Sequence, residues 1–230
     1  MRHLAIGDIH GCIRSLETLL AAVSPRPDDL LITLGDYVNR GPDSRAVVDR
    51  LIRLHRTGRL VALRGNHEQM MLEARDEGGE KLSRFLGVGG DRTLASYAAP
   101  GDAGNLADVP DDHWDFFENV CRDWYETDTH FFVHANAYPD CEVADQPIYM
   151  LRWEQFDRPP RHESGKVMVC GHTSQKTGRP RNLGHAVCID TYAHGGGWLT
   201  CLDISTGRMW QANERGDARQ AWINDYLLDG

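Results

Sequence analysis

The chain has 230 residues, 41% of them hydrophobic and 26% charged, with a formal net charge of −9. It can bury a sizeable core and is not a disordered chain. The acidic balance excludes nucleic acid and anionic membrane surfaces as main partners, since both need a basic face, but leaves open a phosphorylated substrate held by local cations and arginines.

Leu4-Ala5-Ile6 reads as a short buried strand that breaks at Gly7-Asp8. Ile13, Leu16, Leu20 and Val23 recur at helical spacing, and Ser24-Pro25-Arg26-Pro27 stops that helix. Residues 30–34 form a second strand, ending in Gly35-Asp36. After Pro42, Ser44 is the expected N-cap of a helix whose apolar face is Val47, Val48, Leu51, Ile52 and Leu54. Residues 60–63 make a third strand, ending in Arg64-Gly65-Asn66. This alternation is an α/β opening on a parallel sheet, with its loops at the carboxyl ends of the strands, where such sheets place ligands.

Residues 76–112 are interrupted by glycines at 78, 79, 87, 89, 90, 101 and 104. They read as helices near 80–86 and 91–98 with a long loop, a candidate cap over the site. Residues 111–125 are expected to be helical, with Trp114, Phe117, Val120, Cys121 and Trp124 on one face. Short strands at 129–133, 166–170, 186–190, 198–203 and 208–211 then predict a second sheet packed on the first. No repeat or linker stands out, so one domain over residues 1–230 is expected. A cleaved leader would remove Asp8 and His10, and no apolar run reaches membrane-spanning length. The six cysteines form no Cys-x-x-Cys pair, and Cys170, Cys188 and Cys201 sit in apolar strand-like runs. A reduced, cytoplasmic protein is expected.

Six ligand-type side chains occupy five strand-to-loop junctions: Asp8 and His10, Asp36, Asn66, His134 and His172. Residues two apart on an extended segment point the same way, so Asp8 and His10 suit one metal. A carboxylate such as Asp36 can bridge two metals about 3.5–4 Å apart, and Asn66 offers a neutral oxygen. Singly, an aspartate after a glycine is an ordinary turn residue and a histidine after a strand is more often structural. Six at equivalent junctions are not explained that way, and they point to a dinuclear centre. His67 follows Asn66 and is placed to protonate a leaving alkoxide. Arg40 and Arg64 flank two of the loops, and guanidinium groups match phosphate oxygens. The His67-Glu68-Gln69-Met70-Met71 run is not a zincin helix, no glycine-rich phosphate loop is present, and Cys12 lacks a nucleophile's context.

In this order the islands resemble the phosphoprotein phosphatase family of calcineurin-like metallophosphoesterases. The family motifs are GDxHG, GDxVDRG and GNHE, followed by two separate histidines. Here they read GDIHG, GDYVNRG and GNHE, then His134 in VHA and His172 in CGHT. The resemblance runs to about residue 204. RGNHEQMM, GHT and the IDT strand followed by WLT are similar to the bacterial and phage lambda-phosphatase branch, and also to the symmetrical dinucleoside tetraphosphatases. It implies a four-layer α/β/β/α sandwich with two packed mixed sheets. It implies one metal held by Asp8, His10 and Asp36, and a second by Asp36, Asn66, His134 and His172, with manganese the usual ion and an iron–zinc pair sometimes found. A hydroxide between the metals would attack phosphorus, with His67 as general acid and Arg40 and Arg64 holding phosphoryl oxygens. Arg152 is the nearest candidate for a further family arginine.

Two positions depart from the pattern. Asn39 stands where the family has the aspartate that orients the catalytic histidine and favours its charged form. An amide can still orient the ring through its oxygen but lacks the charge, which lowers the acid strength available and favours good leaving groups. Tyr192 stands where relatives commonly carry glycine, and is a candidate substrate contact. The leading expectation is a metal-dependent phosphomonoesterase acting on phosphoserine or phosphothreonine, and on phosphotyrosine, in proteins, or on small phosphoesters. The alternatives are a dinucleoside-polyphosphate or nucleotide hydrolase, and a catalytically weakened phosphate-binding regulator.

Overall fold

The computed structural model describes residues 1–228. The first sheet opens with three parallel strands, β1 (His3–Ile6), β2 (Leu30–Thr33) and β3 (Leu60–Ala62). Between them run α1 (Ile13–Val23) and α2 (Ser44–Arg56), and after β3 comes α3 (Asn66–Glu77). Leu16, Leu19, Leu20 and Val23 of α1 are buried, as helical spacing predicts, and Ser24 ends the helix in a left-handed turn. The cap of α2 is Asp43 rather than Ser44: the Asp43 carboxylate accepts the Ala46 N–H at 2.9 Å. Ser44 is instead the first helical residue, buried, with its Oγ 3.0 Å from Thr93 Oγ1.

Residues 76–112 supply α4 (Gly79–Phe85) and α5 (Asp91–Tyr97), close to their expected places, joined by a wide turn over Leu86–Gly90. The expected helix over 111–125 is shorter. It comprises α6 (Asp111–Asp115) and a wide turn, Phe116–Val120. Trp124 then opens strand β4 (Trp124–Glu126). The cause lies in backbone pairing: Arg122 donates to Ala62 O (2.9 Å) and accepts from Arg64 N (2.7 Å), so the chain must be extended there.

After β4 come β5 (His130–Val133), α7 (Ile148–Arg152), β6 (Val167–Cys170), β7 (Arg181–Asn182), β8 (Ala186–Cys188), β9 (Leu199–Asp203), β10 (Arg208–Ala212) and β11 (Ala218–Trp222). The second sheet has the order β4-β5-β6-β8-β7. The first runs β11-β10-β9-β1-β2-β3, so β9 and β10 do not join the second sheet as expected. They extend the first through antiparallel pairing of β9 with β1, which makes that sheet mixed, and the second is mixed by antiparallel β4–β5 beside parallel β5–β6.

Alternation along the strands builds the layers. Ala5, Ile32, Phe132, Val169, Val187 and Leu202 fill the space between the sheets. Leu4, Ile6 and Leu31 face α1 and α2. Phe131, Val133, Met168 and Cys170 face outward onto Phe156 and Leu151 of the thinner fourth layer. The order is α/β/β/α. Five of the six cysteines are buried and all are free thiols. No helix among the described residues is long and apolar enough to cross a membrane.

Candidate metal centre

The carboxyl ends of β1, β2, β3, β5 and β6 deliver the predicted residues to one place. Backbone bonds zip the loops pairwise: His10 N donates to Asp36 O (2.7 Å) and Gly171 N to His134 O (2.8 Å). Two bonds join the sheets across the site. His134 Nδ1 meets Leu34 O at 2.7 Å, and the His172 N–H meets Asp8 Oδ2 at 3.0 Å. Seven non-glycine residues among those described have positive φ. Six of them are His10, Asp36, Asn39, Arg40, His172 and Tyr192, and the seventh, Ser24, ends α1. Left-handed backbone costs an L-residue roughly 1–2 kcal/mol, so strain is concentrated at these loops.

Glu68 holds the cradle. Its buried carboxylate accepts four N–H bonds, from Asp36 (2.9 Å), Tyr37 (2.7 Å), Val38 (3.3 Å) and Gly65 (2.9 Å). It therefore fixes the Asp36 loop against the start of α3. Sequence reasoning passed over Glu68 as part of the GNHE motif.

Three ring tautomers are set by main-chain carbonyls. His10 Nδ1 faces Val38 O (2.8 Å), His134 Nδ1 faces Leu34 O (2.7 Å), and His172 Nε2 faces Trp153 O (3.0 Å). Each of these nitrogens must donate, so the other nitrogen of each ring presents a lone pair. The His134 and His172 lone pairs meet oxygens that can only accept, while that of His10 also receives an N–H of Arg40. His134 Nε2 and His172 Nδ1 each lie 3.1 Å from Asn66 Oδ1, while His10 Nε2 and His134 Nε2 each lie 3.4 Å from an Asp36 oxygen. Protonation of the rings does not relieve this crowding. Burial pushes His134 down to about 4 and His172 down to about 3, and burial with nearby His67 and Arg40 holds His10 well below its ordinary value. Burial raises the Asp8 and Asp36 carboxyls. Lone pairs converging on shared acceptors are what divalent cations satisfy, so the residues present fit a metal pair. Two groups, His10–Asp36–His67 and Asp36–His134–His172, each have potential ligand atoms within 4.8 Å of one another, and they share Asp36.

The family profile of calcineurin-like phosphoesterases matches residues 1–193. The chain is a calcineurin-like phosphoesterase. Over 216 residues the phosphoesterase is 41% identical to serine/threonine-protein phosphatase 1 of Salmonella typhimurium (strain LT2), covering 88% of this chain and 92% of that protein. It is 36% identical over 147 residues to the symmetrical bis(5'-nucleosyl)-tetraphosphatase of Burkholderia thailandensis, covering 61% of this chain and 44% of that protein. Its fold matches the crystal structure of a candidate diadenosine tetraphosphatase with a TM-score of 0.65 and 22% identity, over 100% of this chain and 95% of that one. Dinuclear divalent metal centres are the working part of this family.

Around the ligands, the phosphoesterase departs from its sequence reading in several places. Asp8 is bonded to the His172 backbone and packed beside buried Asp190. Arg40 Nη1 donates to His10 Nε2 at 3.0 Å, which puts its guanidinium at the centre. Arg64 Nη2 donates to Glu118 O (2.8 Å) and Cys121 O (3.4 Å), and its Nε is buried without a partner among the described residues. Arg152 is buried and engaged by Asp123 and by Gln69 Oε1 (3.3 Å). Asn39 differs most from expectation. Its Oδ1 accepts from the Thr93 hydroxyl (2.9 Å), and its amide nitrogen, not the oxygen, faces His67 Nδ1 (2.9 Å). His67 then accepts at Nδ1 and carries its proton on Nε2, 3.9 Å from Asp36 Oδ2. Burial, then Arg40, keeps His67 well below its ordinary pKa. His194, which sequence reasoning did not single out, packs edge-on against His10 with ring centroids 4.7 Å apart. The signal was available: β8 is a sixth strand whose carboxyl end opens at the same edge.

Proposed function

We propose that the phosphoesterase hydrolyses phosphomonoesters, including phosphoserine, phosphothreonine and phosphotyrosine in peptides. Asp8, His10 and Asp36 would hold one divalent ion and Asp36, Asn66, His134 and His172 a second, with manganese the first ion to test. The observation that supports this most is the set of three carbonyl-fixed histidines turning unprotonated nitrogens onto Asp36 and Asn66. The near full-length likeness to a protein-serine/threonine phosphatase supports the peptide substrate. Bound divalent ions would neutralise phosphoryl charge and activate the attacking water. Arg40 would hold phosphoryl oxygens, and His67 would deliver its Nε2 proton to the leaving oxygen. Arg64 and Arg152, already bonded to Glu118 O and Asp123, would brace the wall of the substrate site, Tyr192 would lie at its rim, and residues 76–112 would support the Asn39–Arg40 loop rather than close over it.

The contact between Asn39 Nδ2 and His67 Nδ1 favours a second reading. It holds the imidazole neutral, which suits leaving groups that need little protonation, such as the anhydride of a dinucleoside polyphosphate. A phosphopeptide, an aryl phosphate and diadenosine tetraphosphate assayed side by side with manganese separate the two. Turnover of the phosphopeptide supports the first reading, and turnover of the anhydride alone supports the second. A manganese-loaded protein that hydrolyses none of the three would be a phosphate-binding regulator.

A further inference from the structure

His194 sits where the chain leaves β8 for β9. Tyr192, with φ 66°, turns the backbone left-handed, and a short helical turn, Ala193–Gly195, follows. The turn is tied shut: Gly195 N and Gly197 N both donate to Tyr192 O (3.1 and 2.9 Å), and Trp198 N donates to Thr191 O (2.9 Å). The Tyr192 ring folds over Gly195, where a Cβ would lie 2.0 Å from two ring carbons and would push the ring aside. A tyrosine in a left-handed conformation is a costly choice unless its side chain has a task. The task here is packing. Tyr192 meets the His194 ring edge-on at 4.8 Å, His194 meets His10 at 4.7 Å, and His10 meets His67 at 4.7 Å. Four rings thus stand in a row from the rim to the proton donor.

Within this row His194 is the one ring with an unmet need. Its Nδ1 is buried and has no hydrogen-bond partner among the described residues. An unpaired buried polar atom costs about 1–3 kcal/mol, and such atoms in native structures have a reason. The ring packs against His10, which the Arg40 guanidinium already reaches. An oxygen anion bound by a guanidinium is a partner that an imidazole N–H can also meet.

We propose that His194 is a substrate-contacting residue whose Nδ1 donates to a phosphoryl oxygen held by Arg40, on the His10 side of the centre. The proposal rests on the phosphoesterase reading above. Tyr192 is then a positioning residue that fixes the His194 ring through packing.

The test uses the full chain loaded with manganese, with inorganic phosphate as the probe. His194→Phe keeps the ring packing but removes the nitrogen, and His194→Gln restores a donor. Metal content per chain and phosphate affinity by calorimetry are the readouts. We expect manganese content equal to wild type in both variants, phosphate affinity weakened about tenfold in His194→Phe, and part of that loss recovered in His194→Gln. Phosphate binding of His194→Phe equal to wild type overturns the proposal. So does a fall in its manganese content, which would make His194 a ligand instead. A wild-type protein that binds manganese but neither binds nor releases phosphate sinks the phosphoesterase reading itself, a result distinct from either.

Discussion

A histidine whose Nδ1 accepts a hydrogen bond has a single proton, and it sits on Nε2. Asn39 holds His67 in that state, with its amide oxygen turned to Thr93 and its amide nitrogen to the ring. Charging the ring would set a second N–H against the Asn39 amide, so the imidazolium is opposed by geometry as well as by burial. Asn39→Asp replaces the donor by an acceptor and should raise the His67 pKa. Turnover of an alkyl phosphate should then rise at least roughly tenfold more than that of an aryl phosphate, and should persist to higher pH. Equal gains on both substrates would count against proton donation by His67. The companion change, His67→Asn, should keep the metal content and lower alkyl-ester turnover by roughly a hundredfold, at the low end for a general acid. Unchanged turnover would remove His67 from the mechanism. The sequence exposed Asn39 as a departure, but the direction of its amide was not legible there, because it depends on Thr93, 54 positions away.

Between elements, the wide turn over Leu86–Gly90 sets the position of Arg40. Gly89 has φ 95°, its carbonyl accepts the Arg40 N–H at 3.3 Å, and a Cβ there would lie 2.7 Å from the same nitrogen. Gly89→Ala should displace the Arg40 backbone, lowering stability by about 1–3 kcal/mol and raising KM with little change in metal content. A KM equal to wild type would show that the turn does not set Arg40. The glycines at 87, 89 and 90 marked a break in the sequence, and the helices on either side of it are where spacing put them. The stretch after α6 was less legible. Its apolar residues gave no local sign that the helix opens into a wide turn over Phe116–Val120. The end of β3 then draws residue 122 into extended pairing, a demand invisible in the local sequence.

At the scale of the molecule, ligand-type residues come from both sheets: four from the ends of β1, β2 and β3, and His134 and His172 from β5 and β6. Metal binding should therefore clamp the sheets together. Manganese should raise Tm by several degrees and a chelator should reverse it; a Tm indifferent to both would deny the clamp. Far from the site, Asp29 anchors the chain start. Burial would raise its carboxyl, but bonds from Arg2 and Arg26 outweigh that and hold it well below the usual range. A depressed carboxyl stabilises above its unfolded pKa of about 3.9 and loses that contribution as pH falls through the folded value. Asn at position 29 should thus cost about 1–3 kcal/mol at pH 7, a gap that narrows in urea melts at pH 3; a constant gap would refute the ion-pair account. The assignment of β9 and β10 to a sheet escaped the sequence because alternation reports which faces are buried, not which strand lies alongside. That neighbour has a consequence in time. Synthesis runs from the amino end, so every ligand-type residue, His172 included, is made before Leu199. Until residues 199–203 follow, β1 is missing one of its two flanking strands, and Gly7, at the root of the Asp8 loop, has not met its acceptor, Thr200 O, 3.1 Å away in the finished molecule. The Asp8 loop thus waits, during synthesis, for a strand that follows every ligand-type residue in the chain.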